Sequence, residues 1–313
     1  MEYIHKSVLL DEVLYWLDIK PGGTYIDATL GGAGHAVEIA KRLKGGKLIG
    51  IDQDEFAINM ARKVLAPYAE VSQILFEKAN FGHIAQKMRD EQSIYADGIL
   101  MDLGVSSFQL DDGTRGFSYN HDGRLDMRMS RDSVLSAHDV VNKYDEARLA
   151  QIFSKYGEER WAARIAHFIS KERVKSTIDT TTQLVDIIKA AIPLAARRDG
   201  PHPAKRVFQA IRIEVNDELT GLQLSIENFA DILRPGGIIC IITFHSLEDR
   251  IVKNTFRALA MDCVCPREFP VCMCSKRPAV EILTKRPVAP SDDEITNNPR
   301  ARSAKLRVAR KVM

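Results

Sequence analysis

The chain has 313 residues and a formal net charge of +2, so its length predicts about two domains and its charge argues neither for nor against a nucleic-acid partner. It has no run approaching about 18 apolar residues and no apolar leader, so we expect no membrane span, no signal peptide and a cytoplasmic location. Five cysteines in a chain of this size do not indicate a disulfide scaffold.

A strand, a glycine-rich turn, a helix and a second strand are predicted between Thr24 and Asp54. The first apolar run breaks at a glycine cluster, and the second apolar run ends in Asp52. Glycines allow the backbone to approach a ligand, and a helix N-terminus favours a negative group nearby. An acidic residue at the end of the second strand can accept hydrogen bonds from both ribose hydroxyls. The unit therefore predicts a cofactor that contains adenosine. The glycines of the cluster are Gly31, Gly32 and Gly34.

The glycine pattern alone does not identify the cofactor. A nicotinamide dinucleotide requires G-x-G-x-x-G/A, but Val37 stands where the small third residue belongs. S-adenosylmethionine contains no pyrophosphate and tolerates this change. A glycine turn also occurs for purely structural reasons in doubly wound proteins, so the motif leaves these interpretations open.

Strands and helices alternate regularly up to Asp102, which predicts a parallel sheet with helices on both faces. Two further strands are expected, and the fourth strand again ends in a carboxylate. The expected helices are Ser7–Leu17, Ala36–Leu43, Phe56–Val64 and Ile84–Met88, and the further strands are Val71–Phe76 and Ala96–Asp102.

The alternation then stops. Residues 103–131 have no sustained period and predict a long loop, which inside a compact domain is usually functional. Only helical periodicity follows, which predicts a small helical domain inserted into the sheet domain. The expected helices there are Val140–Phe153, Trp161–Ile169 and Gln183–Ile192.

After the insert, a helix is expected from about Lys205 to Leu233, followed by a fifth strand at Ile238–Phe244. Val280–Leu283 and Lys305–Val308 are candidate late strands. Five basic residues lie between positions 197 and 212, where only Asp199 opposes them before the last of the five. Such a cluster is most often a solvated face, but beside a cofactor domain it favours a polyanionic substrate. Its members are Arg197, Arg198, Lys205, Arg206 and Arg212.

Longer motifs occur in an order and spacing that resemble the RsmH/MraW family of small-subunit (16S) ribosomal RNA cytosine-N4 methyltransferases. The resemblance covers nearly the whole chain and is far more specific than the glycine turn; Phe108 departs from it, since proline is expected at that position. The motifs are HKSVLLDE from His5, DGILMDLGVSS from Asp97, RGFS from Arg115, LDMRM from Leu125, YGEER from Tyr156, FQAIRI from Phe208 with Val215-Asn216, FHSLEDR from Phe244 and NPRARS from Asn298.

The resemblance implies an α/β fold: a class I, Rossmann-like, S-adenosylmethionine-dependent methyltransferase sheet with an inserted all-helical domain. We place the methyltransferase domain at residues 1–110 and 205–313, and the inserted loop and helical domain, for RNA recognition, at 111–204. The implied reaction transfers a methyl group from S-adenosyl-L-methionine to the N4 amine of a cytidine in 16S rRNA. The implied partner is 16S rRNA within the small ribosomal subunit, and the family implies a homodimer. No membrane partner is expected.

The resemblance also implies cofactor-binding residues. It assigns the methionine end of the cofactor, the ribose and the adenine to different strand ends, which agrees with ligand binding at the carboxyl edge of an open sheet. Asp102 is in addition the candidate acceptor for the cytosine amine. Taken alone, His35 is a plausible helix-start residue and Phe81 a plausible core residue. The assigned residues are Ala33, Gly34 and His35 for methionine, Asp52 for ribose, Phe81 for adenine, and Asp102 and Gln109 to complete the pocket.

A paired cytosine cannot present its amine, so the target base must be unpaired or turned out of its stack. Aromatic residues of the long loop are candidates to stack on the base, although packing in a core is an equally good interpretation. The substrate candidates are Phe108, Phe117, Tyr119, Arg197, Arg198, Lys205, Arg206 and His245.

Two alternative functions stay open from the sequence. One is a non-catalytic RNA-binding ribosome assembly factor that retains the cofactor fold, and the other is a nicotinamide oxidoreductase. The near-complete motif set disfavours the first, and Val37 with the late strands disfavours the second.

Four cysteines are spaced C-x-C-x6-C-x-C and offer ligands for a structural zinc ion. The usual pair is C-x2-C, whose turn lets both sulfurs converge. We expect the sulfurs of a C-x-C pair to point to opposite faces instead. The implied activity requires no metal. We therefore expect a reduced, metal-free loop at Cys263, Cys265, Cys272 and Cys274.

Overall fold

The computed structural model describes residues 7–90, 94–198, 200, 202–266, 269 and 271–312, without the side chain of His83. His5 and Lys6 of the first motif and Asp199 beside the basic cluster lie outside the described residues. The chain divides into two compact units, residues 1–104 with 219–313 and residues 105–218.

The first unit starts with alternating strands and helices. They are α1 Leu10–Leu17, β1 Thr24–Asp27, α2 Gly34–Leu43, β2 Lys47–Asp52, α3 Glu55–Leu65, β3 Gln73–Lys78, α4 Phe81–Asp90 and β4 Ala96–Asp102. The second unit contains α5 Ser107–Asp111, α6 Ala137–Lys143, α7 Glu146–Gly157, α8 Ala162–Arg173, α9 Thr181–Ala191 and α10 Lys205–Asn216. The first unit then resumes with α11 Leu222–Asp231, β5 Leu233–Thr243, α12 Ser246–Leu259, β6 Val280–Ile282, α13 Asp292–Asn297 and β7 Lys305–Lys311.

Within the described residues, the seven strands form one sheet in the order β3-β2-β1-β4-β5-β7-β6. The five strands from β3 to β5 are parallel, as the sequence predicted, and β7 is antiparallel to both β5 and β6. Continuous apolar runs are typical of parallel strands that are buried on both faces of a sheet. Accordingly, β1, β2 and β4 are almost entirely buried. Their carboxyl ends place Asp27, Asp52 and Asp102 along one edge.

Two helices that the sequence predicted as continuous are each divided in two. Asp145 accepts a hydrogen bond from Arg148 N (2.7 Å) and so caps a new helix, α7, two residues after α6 ends. Asp217 ends α10 in the left-handed conformation (φ 50°), and Gly221 (φ 79°) precedes α11. The sequence analysis also missed α12, whose N-terminus is the FHSLEDR motif.

The second unit has its own apolar core, to which α7, α8 and α9 contribute Phe153, Ile165 and Ile188. The expected boundaries at 110/111 and 204/205 assign α10 to the sheet domain. In the structure α10 belongs to the second unit instead, because Phe208 and Ile211 pack in the helical core.

The long loop is only partly irregular, since it contains α5 and a short 3-10 helix, Gly113–Arg115. Arg115 donates from Nη2 to Arg128 O (2.9 Å) and Met129 O (3.0 Å). Asn216 donates to Met127 O and accepts from Met129 N, both at 2.7 Å. The loop is therefore packed as part of the helical unit.

Among the helices of the described residues, we find none that is both long enough and apolar enough to span a bilayer.

We predict that Gly98→Ala destabilises the protein. A Cβ at this position in β4 would lie 2.7 Å from two ring carbons of Tyr25, which is fully buried and held by a hydrogen bond from Lys20 N (2.8 Å). Overpacking of this kind costs on the order of 1–3 kcal/mol. Denaturant unfolding measures the loss.

Gly82→Ala, in α4, is the matched control. A Cβ at this position would have one neighbour closer than 3.5 Å, the side-chain oxygen of Asn80 at 3.1 Å. Equal unfolding midpoints for the two variants would contradict the packing explanation.

Candidate cofactor site at the carboxyl edge of the sheet

The turn after β1 is built from backbone hydrogen bonds and left-handed residues. Leu30 N donates to Ile51 O (2.9 Å), and Ala33 N donates to Leu30 O (2.7 Å). Gly31 (φ 48°) and Ala33 (φ 60°) both adopt the left-handed conformation. A Cβ at Gly34 would lie 2.0 Å from Ser7 Oγ, so this glycine is required by a neighbouring segment of the chain. The sequence suggested that glycine here lets a ligand approach the backbone. In the structure, the group that approaches Gly34 closely is Ser7.

Asp52 holds two turns at once. Its Oδ2 accepts a hydrogen bond from Gly31 N and its Oδ1 accepts one from Asp54 N, both at 2.8 Å. The side chain is half-buried. A carboxylate oxygen can accept more than one hydrogen bond, so Asp52 retains capacity for ribose hydroxyls while it fixes the glycine turn beside them.

The third strand end lies next to the second. Ala79 N donates to Asp52 O (3.0 Å), and Asn80 Nδ2 donates to Gln53 Oε1 (3.4 Å). Asn80 Oδ1 accepts from Gly82 N (2.8 Å), which holds the start of α4. Phe81 follows directly and is half-buried, so one side of its ring packs in the core while the other stays accessible for an adenine.

Asp102 ends β4 beside the glycine turn. Its backbone N donates to Thr29 Oγ1 (2.6 Å). Asp102 Oδ2 lies 3.8 Å from His35 Nδ1, and His35 Nε2 lies 3.0 Å from Val8 O. Because a carbonyl only accepts, Nε2 carries the proton. Asp102 Oδ1 is buried and has no hydrogen-bond partner among the described residues.

The fifth strand end adds a carboxyl group that the sequence analysis did not assign. Glu248, in the first turn of α12, is buried and its Oε2 accepts from Phe244 N (2.9 Å) and His245 N (3.3 Å). His245 Nε2 lies 3.0 Å from Glu248 Oε1, and His245 Nδ1 accepts from Glu248 N (3.4 Å). This pair is a capping box with histidine as the N-cap residue.

Burial and mutual repulsion make this edge electrostatically demanding. Burial raises the pKa of Asp27 to about 7, with a further contribution from Asp52. Burial also raises the pKa of Asp52, which backbone N–H groups partly offset. The pKa of Asp102 lies well above its usual value because of burial, and then because of Asp27 and Glu248. A cluster of this kind favours a ligand that brings positive charge, because an opposite charge favours the ionised carboxylates.

The remaining candidates belong to the second unit. Gln109 is buried in α5, where it forms a capping box with Ser106. Phe117 is 6% exposed and packs in the helical core, so the structure favours packing over base stacking for this ring. Tyr119 is half-buried and stacks on His202, with ring centroids 4.6 Å apart and nearly parallel planes. Phe108 is half-buried.

The basic candidates lie around the start of α10 and the 3-10 helix before it. Arg198, Lys205 and Arg206 are exposed. Arg206 donates to Glu158 O (3.0 Å), and Arg197 has a buried Nε without a partner among the described residues. Arg212 donates two hydrogen bonds of 2.8 Å to Glu218. It is therefore not among the exposed cations of the basic cluster.

Sequence reasoning missed Glu248, Asn80 and Thr29 as parts of the site. A signal existed for Glu248, because a possible N-cap residue followed three positions later by glutamate marks a helix start. The carboxylate of Asp27 accepts a hydrogen bond from Thr29 N (3.2 Å) and so holds the start of the glycine turn.

The fold and the site together define a class I, Rossmann-like methyltransferase that depends on S-adenosyl-L-methionine. Acidic side chains end β2 and β4, and a cationic cofactor with ribose hydroxyls matches these acceptors. In a dinucleotide-binding sheet the late strands continue in parallel, whereas here β7 is antiparallel.

The chain belongs to the MraW methylase family, whose family model matches residues 2–312. A protein of Clostridioides difficile (strain 630), named ribosomal RNA small subunit methyltransferase H, is 54% identical over all of both chains. Proteins of the same name from Ruminiclostridium cellulolyticum and Acetivibrio thermocellus are 52% and 53% identical, again over the full length of both chains. The family resemblance found in the motifs is confirmed.

We predict that Asp27→Asn stabilises the cofactor-free protein more at pH 8 than at pH 5. A carboxyl whose folded pKa is about 7, against 3.8 when unfolded, binds more protons in the folded state. Its contribution to stability therefore falls as pH rises from about 4 to about 7 and stays low above that. Asparagine keeps an acceptor for Thr29 N and cannot ionise, so the gain should grow by on the order of 2 kcal/mol between the two pH values.

Denaturant unfolding of both proteins at the two pH values measures this difference. The control is Asp54→Asn. Asp54 is a buried N-cap residue of α3, so we expect only the loss of stability that is usual for a changed helix cap. A gain from Asp27→Asn that does not change with pH would contradict a raised pKa.

Proposed function

We propose that this protein transfers a methyl group from S-adenosyl-L-methionine to the N4 amine of a cytidine in small-subunit (16S) ribosomal RNA. The substrate class is supported by relatives named ribosomal RNA small subunit methyltransferase H, at 50–54% identity over the whole chain. The chemistry is supported above all by one observation, the Oδ1 of Asp102 at the cofactor edge, which has no hydrogen-bond partner among the described residues. The cofactor supplies a methyl group activated by a neighbouring positive sulfur.

Asp102 is the proposed acceptor for the amine. The lone pair of the cytosine N4 is delocalised into the ring, so this amine is a poor nucleophile. A carboxylate oxygen beside it can accept one N–H, localise the lone pair and stabilise the positive charge that develops on nitrogen. Oδ1 suits this role because it accepts no hydrogen bond from any of the described residues.

Asp52, Phe81 and the glycine turn have a different role. Their contacts to ribose and adenine are the same before and during methyl transfer, so they contribute to binding and orientation. Asp52 orients indirectly as well, because it holds Gly31 and Asp54 in the two adjacent turns. His35 donates from Nε2 to Val8 O, which fixes the ring, and its Nδ1 lies 3.8 Å from Asp102 Oδ2.

The second unit is the proposed site of RNA recognition. Arg198, Lys205 and Arg206 are exposed cations that suit phosphate contacts, and Tyr119 provides a half-buried ring for stacking. Phe117 is withdrawn from this set because it lies in the core. We extend the proposal to a substrate presented within the small subunit, to a cytoplasmic site of action and to the family's homodimer, which light scattering would test.

We predict that Asp102→Asn lowers turnover by on the order of a hundredfold while cofactor affinity falls much less, as for loss of one preorganised electrostatic partner. Asparagine keeps the shape and an acceptor oxygen but loses the charge. Asp52→Ala should instead raise the KM for S-adenosylmethionine, with turnover at saturation less affected.

Single-turnover methylation of small ribosomal subunits at saturating cofactor measures the rate, and calorimetry measures cofactor binding. If Asp102→Asn loses binding but keeps its saturated rate, Asp102 is a cofactor ligand only. If the wild type binds the cofactor but does not methylate small ribosomal subunits, the protein is a non-catalytic assembly factor.

We also predict that the double variant Arg198→Gln, Lys205→Gln weakens RNA binding and reduces the slope of log K against log salt by roughly 1 to 2, because two phosphate contacts are lost. Cofactor affinity should not change. The matched control is Lys171→Gln, Lys175→Gln, which removes two exposed cations elsewhere in the same unit. Equal RNA affinities for the two double variants would show that the basic cluster is an ordinary solvated face.

A further inference from the structure

Four cysteines converge in the segment between α12 and β6. From the sequence we expected a metal-free loop, on the ground that the sulfurs of a C-x-C pair point to opposite faces. That ground is wrong even for an extended segment, because residues two apart in such a segment share a face. The structure contradicts that ground, because one Sγ atom from each cysteine lies within 4.8 Å of all the others. Both pairs therefore present their sulfurs to one point. The residues are Cys263, Cys265, Cys272 and Cys274.

The distances between sulfurs match a tetrahedral metal site. Cys272 Sγ lies 3.5 Å from Cys274 Sγ, and Cys274 Sγ lies 3.8 Å from Cys263 Sγ. A zinc–sulfur distance of about 2.3 Å in a regular tetrahedron corresponds to a sulfur–sulfur distance of roughly 3.8 Å. The four thiols are free cysteines, and none is joined in a disulfide. Only small adjustments are needed for all four sulfurs to reach one ion.

Backbone N–H groups already point at the sulfurs. Cys265 N donates to Cys263 Sγ (3.4 Å), Val264 N donates to Cys274 Sγ (3.4 Å), and Met273 N donates to Cys265 Sγ (3.2 Å). Hydrogen bonds of this kind stabilise negative charge on sulfur and orient metal ligands from outside the coordination sphere. Three of the four sulfurs therefore have the outer contacts that a thiolate site requires.

Hydrophobic packing does not account for this convergence. None of the described residues between 261 and 277 is buried, and the apolar side chains there are largely exposed. Val271 and Met273, which flank a ligand pair, are 69% and 74% exposed. A loop without a core of its own needs another source of cohesion to hold four thiols together, and a metal ion with four protein ligands provides it.

We propose that Cys263, Cys265, Cys272 and Cys274 bind one zinc ion in a tetrahedral structural site. On binding, the thiols release their protons to solvent, and the four thiolates with Zn²⁺ form a site of net charge −2. All four positions are occupied by protein, so no position is left for a water or a substrate, and the ion has no part in methyl transfer. It fixes the α12–β6 segment and holds the exposed Val271 and Met273 in one arrangement.

Elemental analysis of the full-length protein, purified from cells without added metal, tests the proposal. We expect about one zinc per chain, and less than about a tenth of that in the double variant Cys272→Ser, Cys274→Ser, because two serine hydroxyls do not replace two thiolates. Cys240→Ala is the matched control, since Cys240 is buried in β5 outside the cluster and its loss should leave the zinc content unchanged.

A second measurement covers the case in which the double variant fails to fold. The wild-type protein is titrated with a mercurial thiol reagent in the presence of a zinc-sensitive dye, and release of one zinc as the exposed thiols react supports the site. Wild-type protein that contains no zinc, that contains iron instead, or whose cysteines are paired in disulfides overturns it. Zinc content does not depend on methyl transfer, so this proposal and the proposed function fail independently.

Discussion

The crowding of four carboxyl groups at one edge of a parallel sheet is the constraint on which the cofactor site depends. Parallel strands end together, so Asp27, Asp52 and Asp102 are brought side by side, and Glu248 joins them from the first turn of α12. Asp27 and Glu248 are buried, and Asp52 and Asp102 are half-buried. A buried carboxylate is costly unless it is hydrogen-bonded or paired. Backbone N–H groups donate to three of the four, whereas Asp102 Oδ1 has no hydrogen-bond partner in the part of the chain that the structure describes. A cation that binds at this edge would therefore stabilise the ionised form of these carboxylates.

The same constraint explains why the glycine turn is tied down from several sides. Asp52 holds Gly31, Thr29 holds the end of β4, and Ser7 closes over Gly34. Each contact fixes backbone close to an acidic side chain, so the carboxylates cannot relax by moving apart. The pKa values of Asp27 and Asp102 therefore stay raised in the empty site, and a ligand that brings positive charge favours the ionised carboxylates.

Local signals explain what the sequence predicted well. Apolar runs broken by glycine or ended by aspartate mark the five parallel strands, and because parallel strands share an edge, Asp52 and Asp102 were predicted to lie together. The tail strands had no pattern that reveals direction, so their antiparallel pairing was not predictable. The division of two helices depended on caps at Asp145 and Asp217, single residues that a periodic pattern does not show.

Contacts between distant residues explain what sequence reasoning missed. Glu248 raises the pKa of Asp102, although the two residues follow different strands, β5 and β4. No local pattern around either residue indicates that they interact. The cysteines are a sharper case. We expected the sulfurs of each C-x-C pair to diverge, but residues two apart in an extended segment share a face. The structure brings all four sulfurs within 4.8 Å of one another.

Phe117 and Tyr119 show how the helical unit limits the choice of substrate residues. They lie two positions apart in the long loop, yet Phe117 is in the core and Tyr119 stacks on His202 at its margin. Hydrogen bonds from Arg115 and Asn216 fix this loop, so it has little freedom to turn Phe117 outward. A base that stacks in this unit would meet a ring already held in place, and a preordered ring loses less conformational entropy on binding than a mobile one.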